Sequence, residues 1–166
     1  YFNTSVIFNP QGDLVASYRE IHLFGFDIGE AATLTAGTDV VVVDTPLGKT
    51  GLATCYDLRF PELFRAQIDK GATAVLLTSG WPSLRIARWN LLAAARACEN
   101  QMWVIGCNEV GHHGGHDLGG HSLIADPCGE VIASAGNAEE TLYADIAPSL
   151  PSEVRASFPV LPDRRL

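Results

Sequence analysis

Ala53-Thr54-Cys55-Tyr56-Asp57-Leu58-Arg59-Phe60-Pro61-Glu62 is the stretch that decides the fold. It closes an apolar, β-compatible run at 50–54 and opens a proline-led segment over 61–70 that reads as a helix. Proline suits the first helical position, where its missing N–H is not needed, and Gly71 is a natural stop after Lys70. Residues 72–78 are then almost continuously apolar and bounded by Gly, which predicts a buried strand. Strand, turn, helix and strand make a βαβ unit, with Cys55 at the turn. There the strand delivers a thiol, the turn exposes it, and the helix N-terminus favours thiolate. On spacing alone, a small hydrophobe closing a core strand is an equal reading of Cys55.

Working outward, 85–101 is the strongest helix: Ile86, Trp89, Leu92, Ala93 and Cys98 trace an apolar stripe. Residues 102–107 return as a strand. Before the unit, 5–9 and 14–18 read as strands joined by Pro10-Gln11-Gly12-Asp13, and 40–45 pairs with 50–54 around Pro46-Leu47-Gly48-Lys49. After it, 122–125, 130–134 and 142–146 read as short strands at a sheet edge. Residues 111–120 read as a Gly/His loop. No repeat or linker divides the chain, so residues 1–166 are expected to form one domain.

A hydrophobic content of 47% in 166 residues is enough for a core. The net charge of −8 argues against nucleic acid or an anionic membrane as partner. No apolar stretch reaches the ~18 residues of a membrane span, and no signal-peptide pattern opens the chain. Cys55, Cys98, Cys107 and Cys128 show no Cys-x-x-Cys spacing, which fits a reduced, cytoplasmic setting.

The nucleophile stretch resembles that of the carbon–nitrogen hydrolase family, the nitrilase superfamily. The resemblance runs almost from end to end. Tyr18-Arg19-Glu20-Ile21-His22-Leu23-Phe24 is similar to the family's lysine segment, and Gly29-Glu30 to its second-glutamate loop. Ser79-Gly80-Trp81-Pro82, Arg96-Ala97-Cys98-Glu99-Asn100-Gln101, Gly119-Gly120-His121-Ser122 and Phe158-Pro159-Val160-Leu161 follow in the family's order. Within the family the likeness is to small-molecule amidases. It implies an α/β fold, a four-layer α-β-β-α sandwich, of which this chain resembles the central and C-terminal part. The expectation is an N-terminally truncated form of that sandwich.

The same resemblance implies hydrolysis of small linear amides through a Cys55 thioester, in a homo-oligomer, without a cofactor. Cys55 is the nucleophile, the Tyr56 N–H an oxyanion donor, and Glu30 the residue that orients the lysine and the base. Two departures stand out. The segment carrying the family's first glutamate is not in this sequence, and Glu20 occupies the lysine position. Lys49 lies six residues before Cys55, about 20 Å along a strand at ~3.3 Å per residue, and Lys70 closes the helix. Neither substitutes. A carboxylate at position 20 is expected to raise the thiol pKa and repel the oxyanion, leaving activity impaired. A catalytically inactive scaffold or subunit is therefore the alternative reading.

Other residues have plainer expectations. Asp57 and Arg59 brace the turn, Glu62 serves the helix start, Arg96 and Glu99 pair along one helix face, and His22 packs beside Leu23 or bonds a carbonyl. His112, His113, His116 and His121, near Asp117, form the one rival constellation. Their spacing matches no zinc signature, and no metal is expected.

Overall fold

The computed structural model describes residues 1–25 and 29–165. Its centre is three parallel strands, β4 (Gly48–Thr54), β5 (Ala74–Ser79) and β6 (Trp103–Asn108). They are linked by helices α2 (Pro61–Asp69) and α3 (Ile86–Asn100). Antiparallel strands extend the sheet on both sides. β3 (Val42–Thr45) pairs with β4, β9 (Leu123–Ala125) with β6, and β10 (Val131–Ser134) with β9, so the order is β10-β9-β6-β5-β4-β3. The chain is an α/β protein.

Local chemistry explains the helix ends. Pro61 opens α2, and Gly71, at φ 86°, turns the chain out of it. α3 ends on Gln101 in the left-handed region, at φ 48°. The stripe that α3 buries is Trp89, Ala93, Arg96, Ala97 and Asn100, whereas Cys98 is exposed. The buried side thus includes two polar residues, which an apolar count passes over.

Strand alternation divides the sheet into two faces. Gly51, Ala53, Val75, Leu77, Val104 and Gly106 share the face under the helices, as the parallel registers Gly51↔Val75↔Val104 and Ala53↔Leu77↔Gly106 require. Gly106 is the seat of the Trp89 ring. A Cβ there would lie 2.8 Å from the indole, and the Trp89 Nε1–H donates to the His121 carbonyl at 2.8 Å. The opposite face is covered at its C-terminal end by a separate hairpin, β1 (Thr4–Phe8) with β2 (Leu14–Arg19). The Ser5 hydroxyl bonds that of Thr54 at 3.2 Å, and Ile7 and Ala16 join the core. At its other end, Ile146 and Leu150 pack on Ala74, Trp103 and Ile124.

Four elements differ from the sequence reading. A short α1 (Glu30–Thr33) carries Glu30. Residues 111–120 form a hairpin, β7 (Val110–His113) with β8 (His116–Gly119), turned by Gly114 and Gly115 at φ 58° and 80°. Residues 142–146 form no strand, because what covers β6 there is a chain segment ending in α4 (Leu150–Ser157) and not a paired ladder. α4 itself has a short amphipathic run that hid behind its prolines. Arg155 anchors it, donating to the carbonyls of Ala72 and Asn100 at 2.9 and 3.2 Å.

Trp89→Ala should lower unfolding stability by about 3–5 kcal/mol, since a fully buried ring is lost over a glycine that cannot fill the void. Urea midpoints of the two proteins measure it.

Candidate active site

The C-terminal ends of β4, β5 and β6 lie side by side, Thr78 opposite Thr54 and Cys107, and Ser79 opposite Asn108. The residues that follow these ends, Cys55, Gly80-Trp81 and Glu109, converge on one cavity of about 480 Å³. This is the crevice where open α/β sheets take ligands. Cys55 begins a 3₁₀ turn, Cys55–Arg59, and adopts φ 41°, a left-handed conformation costly for a side-chain-bearing residue. The turn holds the thiol at the cavity wall.

Asp57 enforces that turn. Its carboxylate is fully buried and accepts from four groups: Tyr18 Oη at 2.6 Å, the Thr54 N–H at 2.9 Å, the His22 N–H at 3.1 Å, and His22 Nδ1 at 2.7 Å. His22 therefore serves Asp57, and its ring stacks on Phe60 at 3.8 Å, in place of the packing or carbonyl contact expected for it. Burial, then the Asp57 carboxylate, push the Tyr18 phenol far above its ordinary value, so it stays a donor. From the helix side, Arg96 Nε donates to the Leu58 carbonyl at 3.1 Å and its Nη1 meets Glu99 at 2.9 Å. The family segment around Arg96 braces the turn.

Glu20 and Glu30 reach the site from two elements. Asn3 Nδ2 joins them, donating to Glu20 Oε2 at 2.7 Å and Glu30 Oε1 at 3.3 Å. Glu30 also takes the Phe24 N–H at 3.4 Å and lines the cavity. Glu20 stands behind that wall, 1% exposed, with Oε1 lacking any hydrogen-bond partner among the described residues. Burial foremost, then the charges of Glu30 and Asp57, push its carboxyl up to about 8, while Asn3 and the nearby Tyr56 N–H pull the other way. The sequence reading gave position 20 a full negative charge. In the structure, burial and the neighbouring carboxylates work against that charge.

The Cys55 thiol is also raised. Burial is the main cause, and the Glu20 and Glu30 charges add to it. The Ser79 hydroxyl and Gly80 N–H oppose it.

Several lining residues were not singled out from the sequence as site residues: Asn3, Arg85 and Glu109, with Trp81. A signal for Glu109 exists, since it follows the end of a strand in the same parallel set as the one that carries Cys55, with β5 between the two. Arg59 lies over the Trp81 ring at 4.7 Å and Arg85 over Phe24 at 5.8 Å, and neither has a carboxylate partner among the described residues. Of the histidines, His113 and His116 reach the cavity mouth from the hairpin. His112 meets Asp117 at 2.8 Å, and His121 bonds the Gly119 carbonyl at 2.7 Å. Among the described residues no group of three or more metal-ligating side chains comes together, and no helix is long and apolar enough to cross a membrane.

A sequence profile of carbon–nitrogen hydrolase matches residues 1–156. The 2-oxoglutaramate amidase of Paenarthrobacter nicotinovorans is 45% identical over 99% of this chain and 57% of its own length. The omega-amidase Nit3 of Saccharomyces cerevisiae is 37% identical over 99% of this chain and 59% of its own. The crystal structure of Nit3 superposes with a TM-score of 0.89, covering 60% of that chain. The Caenorhabditis elegans NitFhit protein, 34% identical, gives 0.93 over 99% of this chain and 42% of its own. The chain thus spans less than two thirds of the length of these relatives.

The raised carboxyl of Glu20 has a consequence for stability. Its folded value of about 8 lies above the usual 4.5, so the protonated form is favoured by folding. The stabilisation is fully present below about pH 4.5 and is lost as pH rises through about 8. Between those values the slope approaches about 1.4 kcal/mol per pH unit. Chemical denaturation across that range should show stability declining, and Glu20→Gln should flatten the decline.

Proposed function

The chain belongs to the carbon–nitrogen hydrolase family, and on that premise we propose that it hydrolyses the terminal amide of a short dicarboxylic acid through Cys55. The observation that carries this is the strained Cys55 turn opening on a cavity that also holds Arg59 and Arg85. A thiol at a strand end supplies the nucleophile. Two guanidinium groups with no carboxylate partner among the described residues supply recognition for a substrate carboxylate. The relatives named 2-oxoglutaramate amidase and omega-amidase act, by those names, on an amide of this kind.

The step balances as follows. The Cys55 sulfur bonds to the amide carbon, the carbonyl oxygen takes the electron pair, and the Tyr56 N–H donates to it. The C–N bond breaks as the oxyanion collapses, and the nitrogen leaves with a proton as ammonia. Water then opens the thioester, returning the thiol and releasing the acid. Glu30, held by Asn3 and the Phe24 N–H, orients the polar wall, and Glu109, which lines the same cavity, takes the thiol proton and returns it to the departing nitrogen. No cofactor enters the step. The site is that of a homo-oligomer in a reducing, cytoplasmic setting, consistent with four unpaired cysteines and with Val6, Phe8, Leu14 and Val15 exposed on β1–β2.

The test is ammonia release from 2-oxoglutaramate. We expect turnover in the unmodified chain, loss to background in Cys55→Ala, and a KM raised by about tenfold or more in Arg85→Gln, the value of a lost charge-assisted bond. Neither ammonia nor a Cys55 acyl adduct from the unmodified chain would favour the scaffold reading, for which Glu20 at the lysine position speaks.

A further inference from the structure

We propose that Glu20 is the positioning residue that sets the site's working pH: uncharged, it leaves the Cys55 thiolate free to act; charged, it opposes the thiolate. The proposal deepens the Cys55 reading and rests on it. Its geometry is a carboxyl 1% exposed, held on one oxygen by Asn3 and with no hydrogen-bond partner on the other. That second oxygen is a buried acceptor or donor without employment in the fold. Asn3, which holds the first oxygen, also bonds Glu30, and both line the cavity with Cys55.

The charges facing Glu20 are nearly all of its own sign. Cys55 and Asp57 face it from the nucleophile turn, Glu30 faces it from α1 through Asn3, and the Tyr18 phenol faces it from its own strand. Among the described residues no Lys or Arg pairs with it. Its neighbour Arg19 turns the other way, its guanidinium 4.0 Å from the Phe2 ring. His22 is engaged by Asp57. A buried carboxyl in this company is protonated well above the ordinary range, and burial with like charge raises it to about 8. Protonated, it places no negative charge beside Cys55. As pH rises it loses the proton to solvent and works against the chemistry that a rising pH otherwise promotes.

The experiment is alkylation of Cys55 by iodoacetamide from about pH 6 to about pH 9, read at the Cys55 peptide by mass spectrometry so that the three exposed cysteines do not count. Glu20→Gln keeps the shape and removes the titration. We expect the variant and the unmodified chain to label alike at the acid end, and the variant about three- to tenfold faster at the alkaline end. That is the size of a half- to one-unit shift in the thiol. A ratio that stays flat across the range, or no labelling of Cys55 at any pH, overturns the proposal. Should the variant fail to fold, a carbon-13 NMR titration of glutamate carboxyls in the unmodified chain decides. One buried carboxyl with a midpoint near 8 supports it, and all midpoints in the ordinary carboxylate range sink it. Labelling does not depend on amide turnover. A flat ratio with ammonia release removes the role of Glu20 alone, and a rising ratio without ammonia removes the hydrolase reading alone.

Discussion

The Asp57 carboxylate is the constraint on which the rest of the site hangs. It lies within the turn it stabilises, yet all four of its bonds go to residues outside that turn, namely Tyr18, His22 and Thr54. Those bonds tie the end of β2 to the end of β4, two strands from different sheets. They add to the Ser5–Thr54 bond and the packing of Ile7 and Ala16 in seating the β1–β2 hairpin over the sheet, and they fix the end of β2 from which Glu20 follows. A buried carboxylate with four donors is one of the few arrangements in which full burial of a charge is tolerable. Removing it would leave those donors unsatisfied at once.

A second feature follows from the same geometry. Docking β2 against the Cys55 turn brings Glu20 near Cys55, Asp57 and Glu30, three groups that are all anionic when ionised. Placement by the fold and comfort of the charge are in conflict, and the fold wins because the Asp57 bonds are short and numerous. What yields is the proton equilibrium of the weakest-held carboxyl. The conflict shows at Glu20, which is buried with Asn3 as its one side-chain donor. This is why the carboxyl of greatest consequence does not touch the cavity.

Much of this was legible in the sequence, for reasons that can be named. The βαβ unit around Cys55 showed because its strands are continuously apolar and its helix is bounded by Pro61 and Gly71, signals that act locally. The Arg96–Glu99 pair showed because helical spacing alone brings i and i+3 together. What was not legible depends on partners far away in the chain. The 142–146 segment has strand-like residues but finds no strand beside it. The 111–120 hairpin was obscured by glycines that serve a two-residue turn. The raised carboxyl of Glu20 could not be read from its neighbours Arg19 and Ile21, since it comes from burial and from Glu30 and Asp57 across the fold.

The left-handed turn at Cys55 also bears on how such a chain would change under selection for stability alone. Glycine adopts that backbone conformation without the crowding that a Cβ suffers, so the most favourable backbone choice at this position is the one that erases the thiol. The gain would be on the order of 1 kcal/mol. A lineage released from its chemical task therefore has a downhill step available at residue 55, and the presence of cysteine there is a cost that folding does not explain.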